Sequence, residues 1–223
     1  MGSITLTKLR QAIRSRLPIP RSWLFSYIYK WGRWFDGESR SGAGSSLAYT
    51  ENLRAELPGL LSKFAVRTLL DVPCGDFHWM NHVSLPLDQY VGGDIVAAMV
   101  RDNAERHARA DRNFIVLDIV KTIPEPVDLI LCRDCLFHFP FALALKALRN
   151  FQASGSRYLL TTTFFDGVNE PVASGYFYRI NLQEPPFNFP PPILSIQDSP
   201  VQPTRHMALW ELSALSLDRK EDS

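Results

Sequence analysis

The chain has 223 residues, 46% of them hydrophobic, and a formal net charge of +1. That length and apolar content suit one globular domain with a core of ordinary size, and the near-neutral charge lacks the basic signature of a nucleic-acid-binding domain, so no nucleic-acid partner is expected. Three cysteines exclude a disulfide-built scaffold and point to a reducing, cytoplasmic setting, and there is no apolar run of about 18 residues to span a bilayer.

Residues 1–35 carry Lys8, Arg10, Arg14, Arg16, Arg21, Lys30 and Arg33 with no acid, and Trp23, Phe25, Tyr27, Tyr29, Trp31, Trp34 and Phe35 crowd the second half. A stretch of this kind suits peripheral contact with a membrane, and its Arg-rich first part resembles a transit peptide. The commoner use of such a segment is a helix that packs on the domain and helps to close its ligand site; that use is expected. Gly37 to Ser46 is a Gly/Ser-rich loop with the composition of a linker. Residues 1–46 therefore read as an extension, 47–215 as one domain opening on a helix from Tyr49 to Ser62, and 216–223 as a polar tail.

The apolar run Val66 to Val72 reads as a buried strand that enters the turn Asp71-Val-Pro73-Cys74-Gly75-Asp76. A short helix from Trp79 to Val83 is expected next, then a second strand, Gln89 to Asp94, ending in a carboxylate 23 residues after Asp71. Strand, glycine turn, helix and acid-tipped strand make a nucleoside-binding half-fold, with Gly75 allowing close backbone approach and Asp94 placed to accept from ribose hydroxyls. A dinucleotide wants Gly-x-Gly-x-x-Gly at a helix N-terminus for its pyrophosphate. Pro73 stands at the first glycine position, the segment Gly75-Asp-Phe-His78 offers no further glycine, and Asp76 adds negative charge. An NAD(P)-dependent oxidoreductase is thus the weaker alternative, and a cationic nucleoside without phosphate fits better.

A helix over Ala97 to Ala108 precedes a third strand, Asn113 to Asp118. A fourth, Val127 to Cys132, runs into Arg133 and Asp134; a helix over Phe141 to Phe151 and a fifth strand from Tyr158 follow. Strands alternating with helices imply a parallel sheet with crossover helices, which binds ligands at the carboxyl ends of its strands. Asp71, Asp94, Asp118 and Asp134 all fall there. Any one of them could be a turn former or helix cap, but four at successive strand ends argue for a site. Residues 166–203 are rich in proline yet interleaved with aromatics, which marks them as part of the domain rather than a signalling-domain ligand. Arg205 to Leu212 is the last strand, with Ile193 to Gln197 as its hairpin partner.

These residues resemble a class I S-adenosylmethionine-dependent methyltransferase, whose first motif is roughly Asp/Glu-x-Gly-x-Gly-x-Gly. Asp71 and Gly75 match it, Pro73 and Phe77 depart from it, and a subgroup carries the Asp-x-Pro-Cys-Gly-Asp form. The resemblance covers about residues 40–215. It implies an α/β, doubly wound, seven-stranded, mostly parallel sheet with an antiparallel last strand, and S-adenosyl-L-methionine as cofactor. Carried over residue by residue, the cofactor contacts are Asp71, Pro73, Cys74, Gly75, Asp76, Asp94, Ile95, Asp118, Ile119 and Arg133. Asp118 would meet the adenine amino group and Ile95 and Ile119 would sandwich the ring, with Ser41, Gly42 and Ser45 as further contacts from the loop.

The expected reaction is methyl transfer to an oxygen of a small-molecule or glycan acceptor. His138 is the candidate general base, since its ordinary pKa near 6.5 suits proton acceptance. Asp134 would orient it or touch the methionyl ammonium, and Arg133 would hold a substrate carboxylate or pair with a nearby acid. Tyr176, Arg179 and Asn181, after the fifth strand, are candidate acceptor contacts. A non-catalytic nucleoside-binding adaptor on the same fold is the alternative. No metal is expected. Cys74, Cys132, Cys135 and His138 have a zinc-site composition, but only one pair has short ligand spacing, and His78-x-x-x-His82 has Trp79 where a metalloprotease needs Glu. The sequence leaves the oligomeric state open.

Overall fold

Seven strands form one sheet in the computed structural model, which describes residues 20–217. The Arg-rich first part of the extension, residues 1–19, and the end of the tail lie outside the described residues. The strands are β1 (Thr68–Asp71), β2 (Gln89–Asp94), β3 (Arg112–Val116), β4 (Leu129–Cys132), β5 (Tyr158–Phe164), β6 (Leu194–Gln197) and β7 (Arg205–Glu211). Their order is β3-β2-β1-β4-β5-β7-β6. The first five are mutually parallel; β7 runs antiparallel to both β5 and β6. This is the doubly wound sheet with a reversed last strand that the family resemblance implied.

Period-two alternation splits the buried strand residues between two cores. Leu70, Ile130, Leu159, Ala208 and Trp210 pack on one face; Leu69, Leu129, Leu131, Leu160, Met207 and Leu209 pack on the other. Among the described residues four α-helices flank the sheet: α1 (Arg21–Lys30), α2 (Glu51–Lys63), α3 (Ala97–His107) and α4 (Phe141–Ala153). Helix α2 buries Leu53, Leu57, Leu60 and Leu61, the one-face spacing of an amphipathic helix, and α4 buries Ala144, Ala147, Leu148 and Phe151 on the opposite core.

One connection differs from the expected crossover helices. Trp79 to Val83 is no α-helix; only a 3-10 turn, Met80–His82, stands between β1 and β2. Phe77 takes a left-handed backbone (φ +57°) just before it and Pro86 follows it, while Phe77, Trp79, Met80 and Val83 are all drawn into the core. The link is thus an apolar plug rather than a helix with one polar face. Residues 165–193, between β5 and β6, also hold no helix. Tyr178, Ile180, Leu182, Phe187 and Phe189 fill the core there, and the Trp210 Nε1–H donates to the Pro190 carbonyl at 2.8 Å.

Close approach governs Gly92 in β2. A Cβ there would meet the Phe114 ring at 2.6 Å and Cys74 Sγ at 3.2 Å, and Phe114 is itself held edge-on by Phe77. Gly92→Ala is expected to destabilise the fold by about 1–3 kcal/mol, the usual cost of overpacking, measured as a drop in the urea midpoint.

Candidate functional site

The site begins at the turn after β1. Gly75 has φ +57°, a left-handed conformation that glycine adopts without strain, and a Cβ on it would come within 2.3 Å of Ser41 Oγ. That serine belongs to the Gly/Ser loop, which is closed over the turn by Asp76. The Asp76 backbone N–H donates to Ser41 Oγ (2.9 Å), and Ser41 Oγ donates to Asp76 Oδ1 (3.1 Å). Ser39 Oγ and the Arg40 N–H donate to Asp76 Oδ2 at 2.9 and 2.7 Å. The stretch that reads as a linker is therefore anchored on the first motif.

Beneath this loop lies a cavity that is partly open to solvent. All four strand-end carboxylates, Asp71, Asp94, Asp118 and Asp134, line it, together with Pro73, Cys74, Gly75, Asp76, Ile95, Ile119, Arg133 and His138. Asp94 Oδ1 accepts from the Val96 N–H at 2.9 Å and Oδ2 from the Gly75 N–H at 3.3 Å. Burial pushes its carboxyl up to about 6, with those N–H groups opposing the rise. Asp71 Oδ2 accepts from the Tyr90 hydroxyl at 2.6 Å. Burial pushes it up to about 7; Tyr90 and Arg133 oppose this and Asp94 adds to it. Two buried acids on one wall, both raised chiefly by loss of water, favour a cation or a hydroxyl donor as their ligand.

Asp118 holds Val120 N–H at 3.1 Å and is gripped by the Arg21 guanidinium, with Nη2 at 2.7 and 2.8 Å from its two oxygens. Arg21 comes from α1, which also contributes Phe25, Ile28 and Tyr29 to the cavity wall, while Trp34 follows from the turn beyond. The Tyr29 hydroxyl donates to Asp102 on α3 at 2.9 Å. The extension therefore closes one side of the site.

At the other end Arg133 is buried and engaged. Its Nε–H donates to Asp198 Oδ1 (3.0 Å), its Nη2 to the Gly44 carbonyl (2.7 Å), and its guanidinium lies over the Trp79 ring. Arg205, from β7, donates to both Asp134 (2.6 Å) and Asp198 (2.9 Å). Burial alone would raise Asp134, but Arg133 and Arg205 outweigh it and hold the carboxyl below the usual carboxylate range. Of the two roles expected for Arg133, the structure provides the pairing with acids. Asp134 is likewise committed to Arg205 and Thr162. His138 is oriented by other groups: its Nδ1 lies 3.2 Å from the Tyr176 carbonyl, and its ring stacks on Trp34 with centroids 5.1 Å apart. A carbonyl only accepts, so Nδ1 carries the proton and Nε2 is the basic nitrogen of the neutral ring. Burial lowers the pKa of His138, which keeps it neutral near pH 7.

The three candidate acceptor contacts lie off the cavity wall. Arg179 donates to Asp166 Oδ1 (2.6 Å) and Thr204 Oγ1 (2.7 Å) at an exposed position. Asn181 is buried and holds its own loop, donating to the Phe165 carbonyl and accepting from the Gln183 N–H. Tyr176 reaches the site only through the carbonyl that holds His138. From the loop, Ser41 and Ser45 line the cavity and Gly42 does not. The three cysteines are free and buried, and among the described residues no three His, Cys, Asp or Glu side chains are grouped to hold a metal ion. His78 pairs instead with Glu38 at 2.7 Å. Arg21, Asp198 and Arg205 went unread in the sequence because their partners stand 97, 65 and 71 residues away.

No family model and no curated protein matches the sequence. Solved structures do match the fold. The magnesium protoporphyrin IX methyltransferase ChlM of Synechocystis PCC 6803, solved with bound S-adenosylmethionine, aligns over 88% of this chain and 99% of its own, with a TM-score of 0.55 and 14% identity. The fold is that of the class I methyltransferases. The pyocyanin biosynthetic protein PhzM aligns over 74% of this chain, with a TM-score of 0.57 and 15% identity, and this chain spans little more than half of it, 56%. At such identities the likeness is one of fold.

Proposed function

We propose that the protein is an S-adenosylmethionine-dependent methyltransferase acting on an oxygen of a small-molecule or glycan acceptor. The observation that carries this is the convergence of Asp71, Asp94, Asp118 and Asp134, one from each of four parallel strand ends, on a single cavity. The wall fits the cofactor. Asp94 offers a charge-assisted acceptor to ribose hydroxyls, Asp71 faces a cationic methionyl end, and Ile95, Met99 and Ile119 supply apolar surface for a base. A dinucleotide fits poorly. The turn is followed by a three-residue 3-10 turn rather than an α-helix whose N-terminus would take a pyrophosphate, and Asp76 sits at that place.

The cofactor supplies an electrophilic sulfonium methyl. The protein supplies position and a proton acceptor. His138 Nε2 takes the proton of the acceptor hydroxyl, while the Tyr176 carbonyl and the Trp34 ring fix the imidazole so that the acceptor is held in line. Arg205 and Arg133 keep Asp134 ionised beside it.

Calorimetric titration with S-adenosylhomocysteine, with NAD as the parallel control, tests the cofactor. Selective micromolar binding supports the proposal. Binding of neither would leave the fold as an adaptor, and selective NAD binding would revive the oxidoreductase. A pH series adds a sharper check. Burial pushes Asp71 up to about 7 and Asp94 up to about 6, so lowering the pH neutralises both the carboxylate that faces the cationic methionyl end and the charged acceptor offered to the ribose hydroxyls. Affinity for S-adenosylmethionine should therefore rise with pH, by roughly tenfold or more between pH 5.5 and pH 8. A flat profile would remove both carboxylates from contact with the cofactor.

A further inference from the structure

Helix α1 has two unlike faces. Phe25, Ile28 and Tyr29 line the cavity and Leu24 is buried, so the inner face is accounted for. The outer face carries Trp23, Tyr27 and Trp31 at four-residue spacing, which sets them in one row. They are 73%, 46% and 65% exposed, and Phe35, just beyond, is 53% exposed. Tyr27 and Trp31 are neighbours, with ring centroids 6.4 Å apart. Arg33 lies over the Tyr27 ring at 5.7 Å and Lys30 over the Trp31 ring at 5.9 Å. Large aromatics left in water on a surface helix, interleaved with cations, have the makeup of a bilayer interface, where indole and phenol rings sit at headgroup depth.

Charge identifies what would cover them. Arg21 is turned inward onto Asp118, but Lys30 and Arg33 stand beside these rings with no acid in residues 20–35, whereas the chain after residue 35 is net negative. An anionic surface would attract this one side and repel the remainder, which orients the domain as well as binding it. We propose that the outer face of α1 docks the protein on an anionic lipid bilayer, with Trp23, Tyr27 and Trp31 in the interface and Lys30 and Arg33 on lipid phosphates. Since the inner face of the same helix forms the cavity wall, docking would set that wall against the bilayer and hold it shut. This holds whichever ligand the cavity takes.

Vesicle flotation with the full chain tests it, comparing phosphatidylcholine vesicles with vesicles containing about 30% phosphatidylglycerol. The expected result is binding to the anionic vesicles alone, lost in about 0.5 M salt and weakened about tenfold or more by the double substitution Trp23→Ala, Trp31→Ala. Both side chains are exposed, so an unchanged melting temperature and unchanged S-adenosylhomocysteine affinity in solution are expected of that variant. Absence of binding to anionic vesicles, or binding that the double substitution leaves intact, would overturn the proposal. So would a dimer in sedimentation that the same substitutions dissociate, since the face would then belong to a second copy of this chain.

Discussion

Asp94→Ala is expected to weaken S-adenosylhomocysteine binding by about 1.5–3 kcal/mol, roughly 10- to 150-fold, because it removes a buried charged acceptor. The position makes the effect large. Asp94 ends β2 on the cavity wall with both oxygens already fixed by the Val96 and Gly75 N–H groups, so its remaining lone pairs are held ready for two donors. The same substitution leaves those two N–H groups without their acceptor, so stability must be read beside affinity. Asp94→Asn separates the two effects: its amide oxygen can keep the Val96 N–H, while the charge is lost and an NH₂ donor faces the ribose. Calorimetry should find both variants weak binders, with Asn closer to wild type in melting temperature. Unchanged affinity in either would show that the ribose is held elsewhere.

His138→Gln is expected to lower kcat on an accepted substrate by about 10²- to 10⁴-fold, the usual contribution of a general base, with little change in cofactor affinity. The sign of the pH dependence follows from the geometry. Burial lowers the His138 pKa, so in the wild type kcat should rise with pH through a value below 6.5 and level off above it. The Gln variant should lack that limb. Because Trp34 and the Tyr176 carbonyl hold the ring, replacing His138 also loosens the α1 side of the cavity. A loss in S-adenosylhomocysteine affinity as large as the loss in turnover would therefore mark the residue as structural, and an unaltered pH limb would place the base elsewhere.

Both experiments use residues that stand out in the amino-acid order, and the reason is local. Strand β1, the turn through Gly75 and strand β2 are contiguous, their apolar runs specify burial on both faces, and an acid at the tip of a parallel strand has only one end of the sheet to occupy. The same reasoning made Asp118 and Asp134 legible; β7 and its hairpin partner β6 also stand out along the chain, while the reversal of β7 was what the family resemblance implied. It failed where partners are distant or where packing overrides local preference. Trp79 to Val83 reads as a helix, yet the demand to bury Phe77, Trp79 and Met80 together leaves a 3-10 turn. Arg179 and Asn181 read as polar groups awaiting an acceptor, yet Asp166, Thr204 and the Phe165 carbonyl already hold them.

What the sequence by itself determined is the run of strands and the carboxylates at their tips, because these follow from hydrophobic period and from residues near one another along the chain, while the complete seven-stranded sheet came from the family resemblance. Only the tertiary structure decided how the site is closed. The grip of Arg21 on Asp118, the Ser39–Arg40–Ser41 clasp on Asp76 and the Arg133–Asp198–Arg205–Asp134 cluster each join segments dozens of residues apart. Such pairs leave no periodic trace, since a charged side chain reads the same whether it faces water or a partner that folding brings to it.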